Sequence, residues 1–163
     1  MSLDQGLFRE AMGRFPSGVT IVTTVDEQGR RWGFTASAFA SLSLQPPQVL
    51  VCLDRSANCH QSFSSADRFA VNILGAEHED LARHFATKAT DKFSGRNFEL
   101  GDLRLPLLPD AVATLECRTV GRLPGGDHTI FVGEPVSIRL RSGSPAVVYD
   151  RRFWRLSGST IGV

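Results

Sequence analysis

Residues 35–54 read TASAFASLSLQPPQVLVCLD. The first half is small and hydroxylated, with Thr35, Ser37, Ser41 and Ser43 interleaved with Ala36, Ala38, Phe39 and Ala40. The Pro46-Pro47 pair in the middle excludes a helix and a central strand, because proline lacks the N–H and constrains the residue before it. The second half, QVLVCL (48–53), is a nearly continuous apolar run. Such a run predicts a strand buried on both faces. No helix fits anywhere in the stretch, so the fold around it is expected to be β-rich.

The flanking sequence extends that expectation. GVTIVTTV (18–25) places Val19, Ile21, Thr23 and Val25 on one strand face, DEQGR (26–30) reads as a hairpin loop, and RWGFTAS (31–37) as the partner strand. FAVNIL (69–74) is a further strand, and from Val112 onward Ala113, Leu115 and Cys117 alternate with Glu116 and Arg118 in a half-buried pattern. LPGGDH (123–128) reads as a turn into HTIFVGEPVSIRL (128–140), where Gly133 and Pro135 mark a bulge or an edge. PAVVYD (145–150) is expected to be the final strand. Three short helices complete the reading. One carries Leu7, Phe8, Ala11, Met12 and Phe15 on a packing face, with Asp4 as its cap; one starts at an N-cap on Ser56 or Asn58; one spans 76–87 with Leu81, Ala82, Phe85 and Ala86 inward. DKFSGRNF (91–98) is a loop, and LRLPLLPDA (103–111) is irregular. Residues 1–163 read as one mostly-β domain, a barrel or sandwich with a few short peripheral helices.

Composition narrows the function classes. Lys plus Arg is 18 against 17 for Asp plus Glu, a net charge of +1, which excludes a polybasic nucleic-acid arm and an acidic tail. Apolar residues at 42% and charged residues at 21% are ordinary globular usage. Cys52, Cys59 and Cys117 are too few and scattered for a disulfide framework, and with no signal-peptide pattern at the N-terminus they favour a reducing, cytoplasmic setting. The chain has no apolar run of the ~20 residues a membrane helix needs, and no zinc-type His/Cys spacing. GxGxxG, GxxxxGK[ST] and GxSxG are absent, which removes the usual Rossmann, P-loop and nucleophile-elbow readings.

Three features carry chemistry. The Thr35–Ser43 run is either the polar face of an edge strand or a surface flat enough for a planar ring to approach the backbone. Asp54-Arg55-Ser56-Ala57-Asn58 is either a plain capped helix start or an anion site. His128 follows a Gly-Gly-Asp turn and is either a surface histidine or a group poised to contact a substrate ring near neutral pH.

RFPSGVTIVTT (14–24), the 35–54 block, FAVNIL (69–74), DKFSG (91–95) and GDHTIFVGE (126–134) occur in this order along nearly the whole chain. Together they resemble the short-chain NAD(P)H:flavin oxidoreductases, the reductase components of two-component flavin monooxygenases. The resemblance implies a split β-barrel of the FMN-binding, Greek-key type, a homodimer, FMN or FAD as cofactor, and NADH or NADPH as co-substrate. By the same analogy Thr35, Ala36, Ser37 and Ala38 line the isoalloxazine. Cys52, Leu53 and Asp54 flank the ring and ribityl chain, while Arg55, Ser56 and Asn58 lie near the phosphate. Lys92 and Phe93 close over the flavin, and Lys92 is a candidate to stabilise charge at flavin N1 and O2. His128 contacts the nicotinamide, and Tyr149 to Arg152 helps bind the same nucleotide. The implied partner is an oxygenase that receives reduced flavin. Where the family often carries a second serine, this chain has Ala38. Two other readings on related barrels are a flavin- or haem-binding module without turnover and an oxidase of the pyridoxamine-phosphate type.

Overall fold

A computed structural model describes residues 3–157. In chain order the elements are α1 (Gln5–Gly13), β1 (Ser17–Gly18), β2 (Thr20–Val25), β3 (Arg31–Ala36), β4 (Phe39–Leu44), β5 (Pro47–Asp54), α2 (His60–Ser65) and β6 (Arg68–Ile73). A 3-10 turn (Ala76–His78) leads into α3 (Glu79–Phe85), followed by β7 (Glu99–Leu100), β8 (Pro106–Leu107), β9 (Ala113–Gly125), β10 (His128–Leu140), β11 (Ala146–Tyr149) and β12 (Arg152–Arg155). Seven strands form one antiparallel sheet in the order β3-β2-β6-β9-β10-β5-β4. Its hydrogen-bonded order has two ends, β3 and β4, so the ladder is open. A three-stranded sheet β1-β11-β12 and a two-stranded sheet β7-β8 flank it. No helix among the described residues is long and apolar enough to cross a membrane.

β2 is buried on both faces because two cores meet across it. On one side Val22 joins Phe34, Val51, Phe69, Phe131 and Phe63 of α2, with Phe63 edge-on to Phe34 at a centroid separation of 5.0 Å. On the other, Val19 and Ile21 pack with Leu74, Ala82, Phe85 and Phe93. This accounts for much of the phenylalanine-rich composition: among the described residues most of the rings fill the interior, largely in edge-to-face pairs. The expected irregularity at Gly133 and Pro135 is present as register shifts on β10 at Val132/Gly133 and Pro135/Ser137. Gly133 is obligatory there, since a Cβ would overlap the Phe69 ring and lie 2.8 Å from Cys117 Cβ.

Several local expectations change. Residues 48–53 alternate rather than bury both faces: Val49, Val51 and Leu53 are buried, whereas Leu50 and Cys52 are half-buried, because one face of β5 turns away from the core. Pro47 begins this strand, and the turn before it contains Pro46. β9 reverses the error. Ala113 to Cys117 are all buried, Glu116 included, because residues 99–108 fold over them and Glu116 accepts the backbone N–H groups of Asp102 (2.8 Å) and Leu103 (2.7 Å). Neither Ser56 nor Asn58 caps α2, whose N-cap is Cys59 without a side-chain bond. The 76–87 helix is a 3-10 turn plus α3, which stops at Phe85 and leaves Ala86 exposed. The 123–128 turn is only Gly126-Asp127, with Gly125 paired to His128. β11 is followed by β12 through Asp150 and Arg151, both with positive φ (48° and 59°). Asp4 does cap α1 through Gly6 and Leu7 N–H, yet α1 buries nothing within this chain.

Candidate active site

A cavity of about 270 Å³ opens where four segments converge. Phe34 and Thr35 come from β3, and Cys52, Leu53 and Asp54 from β5; the 56–59 loop and the segment from Phe85 to Lys92 complete the wall, joined by half-buried His128 of β10. The β-ladder brings His128 there, because β10 pairs with β5 in the register His128↔Asp54 and Thr129↔Leu53. The volume sits just below the roughly 300–1,000 Å³ of small-molecule sites, which suits a planar ring system. The wall is mixed in the same sense. Phe34, Leu53 and Phe85 are apolar; Asp54, Ser56, Asn58 and His128 form a polar side.

Several polar side chains of the wall have definite partners. Thr35 Oγ1 donates to the Ala82 carbonyl at 2.5 Å, tying β3 to α3. Lys92 Nζ donates to the carbonyls of Phe85 (2.7 Å) and Gly33 (3.2 Å), and burial holds its pKa below the ordinary lysine value. Gly33 must lack a side chain, since a Cβ would lie 2.8 Å from the Phe85 ring. Asn58 Nδ2 donates to the Lys88 carbonyl at 2.9 Å and so ties the two loops across the cavity. Asp54 accepts the Ser56 N–H at 2.7 Å; that bond lowers its pKa, and the charges of His128 and Lys88 add to the effect. His128 Nδ1 lies 2.7 Å from Asp127 Oδ1, which orients the ring and leaves Nε2 as its second polar atom. The thiols of Cys52 and Cys59 are pushed up by burial, which keeps them protonated and unreactive.

Of the residues singled out in the sequence, Thr35, Cys52, Leu53, Asp54, Ser56, Asn58, Lys92 and His128 line this one cavity. Ala36, Ser37 and Ala38 stand beside it at the β3–β4 turn. Their carbonyls accept Thr20 Oγ1, the Phe39 N–H and the Cys52 N–H respectively. Phe93 is buried behind the wall, edge-on to Phe85 at 5.1 Å. Arg55 is exposed outside the lining. Tyr149 and Arg152 belong to the β1-β11-β12 sheet, beside α1, and do not meet the cavity within this chain. The sequence reading did not single out Phe34, Phe85 or Lys88 for the site. Nor did it find His60, whose Nε2 lies 2.9 Å from Thr129 Oγ1 and braces the start of β10. Among the described residues no group of His, Cys, Asp and Glu is arranged to hold a metal ion.

A mostly-β chain with this cavity at the end of its central sheet belongs to a recognisable class. Residues 12–157 match the flavin reductase like domain, and the chain is a member of that family. It is 47% identical over 154 residues (94% of this chain, 87% of the other) to the actinorhodin polyketide dimerase of Streptomyces coelicolor. It is 43% identical over 140 residues (85% and 78%) to the NADH:riboflavin 5'-phosphate oxidoreductase of Streptomyces pristinaespiralis. Among solved structures, the NADH:FAD oxidoreductase of Streptomyces globisporus C-1027, in complex with NAD and FAD fragments, superimposes with a TM-score of 0.89 at 37% identity, covering 96% of this chain and 98% of that one.

Proposed function

We propose that this chain is an NADH-dependent flavin reductase that reduces FMN or FAD and passes the reduced flavin to a partner oxygenase. The observation that carries the reading is the convergence of Thr35, the Cys52–Asp54 strand end, Lys92 and His128 on one ring-sized cavity, in a chain whose similar relatives are named for NADH-dependent flavin reduction. Relatives named as reductase components of a nitrophenol monooxygenase and of a tryptophan halogenase support the oxygenase-type partner. Bound flavin would supply the two-electron acceptor, which together with a solvent proton would take up the hydride that NADH gives up in becoming NAD⁺. The protein's part is placement. Phe34, Leu53 and Phe85 exclude water from the ring, the Asp54–Asn58 loop meets the polar tail, and His128, oriented by Asp127, stands at the mouth to receive the nicotinamide. No side chain is required as nucleophile or strong base.

Three further readings accompany it. The open seven-stranded sheet is a split barrel: β3 and β5, far apart in ladder order, wall the same cavity, so the sheet curls until they face each other. The chain forms a homodimer. Leu7, Phe8, Met12 and Phe15 are all more than half exposed on α1 and its C-terminal end, an apolar surface suited to a second copy. The role implied for Tyr149 and Arg152 then falls to that second copy. Three free cysteines support a cytoplasmic setting.

The deciding experiment mixes the purified chain with NADH or NADPH and riboflavin, FMN or FAD and follows absorbance at 340 nm. Decay dependent on both substrates is expected. Flavin binding with a flat trace would mean a binding module. Oxygen uptake with an amine and no use of NADH would mean an oxidase. NADH oxidation without any polyketide present separates the reductase from the dimerising activity that one relative's name states.

A further inference from the structure

The cations that the sequence offers to this cavity are not equally available. Arg55 is exposed and outside the lining, and the ammonium of Lys92 is held by two carbonyls. Lys88 does line the cavity, and among the described residues its ammonium has no hydrogen-bond or ion-pair partner. Its backbone is fixed all the same. Asn58 Nδ2 donates to the Lys88 carbonyl at 2.9 Å, and on either side Thr87 Oγ1 donates to the His84 carbonyl (2.8 Å) and accepts the Ala89 N–H (3.3 Å). The rim is therefore polarised, with the Asp54 carboxylate on the β5 side and a free ammonium on a pinned Cα on the α3 side. A lone ammonium with three rotatable N–H groups is a point-charge donor to phosphate oxygens.

We propose that Lys88 is a specificity-determining residue, the cation that receives a phosphate group of the substrate nucleotide at this cavity. The inference rests on the flavin-reductase reading of the site. The phosphate belongs either to the flavin or to the nicotinamide nucleotide, and the two sources are separable.

The test uses the whole chain and the variants Lys88→Gln and Lys88→Arg. Flavin fluorescence titrations with riboflavin, FMN and FAD need no turnover, and steady-state kinetics supply KM for NADH and NADPH. The expected result is that Lys88→Gln lowers the FMN-to-riboflavin affinity ratio about tenfold, the effect of losing one charge-assisted hydrogen bond at a screened site. Lys88→Arg restores the ratio, and added salt lowers it in the wild type but not in Lys88→Gln. A loss confined to the KM of NADH or NADPH also supports the proposal and assigns the phosphate to the nicotinamide nucleotide. An unchanged ratio with unchanged nucleotide KM, or equal weakening of riboflavin and FMN, overturns it. Wild-type protein that binds flavins but leaves NADH unoxidised would remove the reductase reading while leaving the Lys88 titration interpretable.

Discussion

Lys92 separates two accounts of the cavity. The family resemblance makes its ammonium a candidate partner for the reduced flavin's charge. In the structure Nζ also ties Gly33 on β3 to Phe85 at the end of α3, which makes a tether the competing account. Lys92→Met keeps the aliphatic stem and removes both bonds. Hydrogen bonds to a charged group are worth about 1.5–3 kcal/mol each. Part of that loss is returned because the variant no longer desolvates an ammonium, the effect that lowers the Lys92 pKa. A net cost of about 2 kcal/mol corresponds to a Tm lower by about 4–8 °C for a chain of this size. Loosening β3 against α3 raises KM for flavin about five- to tenfold, or about 1–1.4 kcal/mol, with kcat within about threefold. The pH dependence has a definite sign. The folded chain releases this proton below the ordinary 10.5, so between the lowered pKa and 10.5 the unfolded chain holds more protons and wild-type stability rises with pH. Lys92→Met lacks that rise. Thermal melts across alkaline pH and steady-state kinetics measure all of this. An unchanged Tm with kcat reduced by about 10²-fold or more, the signature of a lost transition-state donor, would refute the tether.

Three other outcomes follow from particular contacts. His128→Ala raises KM for NADH and leaves flavin affinity nearly unchanged, and unaltered kinetics would remove His128 from the site. Gly133→Ala forces a methyl group into Phe69 and Cys117 and costs about 1–3 kcal/mol by overpacking, read as a lower midpoint in urea; a midpoint equal to wild type would mean that the bulge does not require glycine. The Asp26 carboxyl titrates at about 2 rather than 3.8 because the Trp32 indole N–H, assisted by Arg30, binds its charged form. Its contribution is present above about pH 4 and lost as pH falls through 2, so Asp26→Asn is less stable than wild type at pH 7 and converges with it in acid; a gap that stays constant down to pH 2 would exclude the ionic contribution.

What the sequence disclosed follows what is local. Gly133 and Pro135 announced a bulge because both residues act on their own backbone. Alternation located the strands, but it could not say what covers each face. Glu116 looked like the solvent side of a half-buried strand and lies under the 99–108 excursion, where its carboxylate serves two backbone donors. β12 was missed for a conformational reason. Its two-residue turn needs positive φ at both central positions, which Asn-Gly or Asp-Gly normally signals. Here Asp150-Arg151 adopts it without that signal, braced by the Asp150 N–H donating to the Gly13 carbonyl at 2.7 Å.

The site shows the same division at the level of charge. In the sequence its members were pointed to only by the family resemblance, since no local pattern gives a ladder register; in the structure the pairing of β5 with β10 sets His128 opposite Asp54. What each cation contacts is likewise not a local property, because it depends on which carbonyls the tertiary fold leaves within its reach. Gly33 and Phe85 are 52 positions apart in sequence, yet their carbonyls lie close enough to share one ammonium. That juxtaposition engages Lys92 with two backbone carbonyls, whereas Lys88, four residues earlier in a polar stretch, lines the cavity with no such partner for its ammonium among the described residues. Charge counted along a sequence thus measures supply, whereas the charge a site can offer is what remains after the backbone's own acceptors have been satisfied.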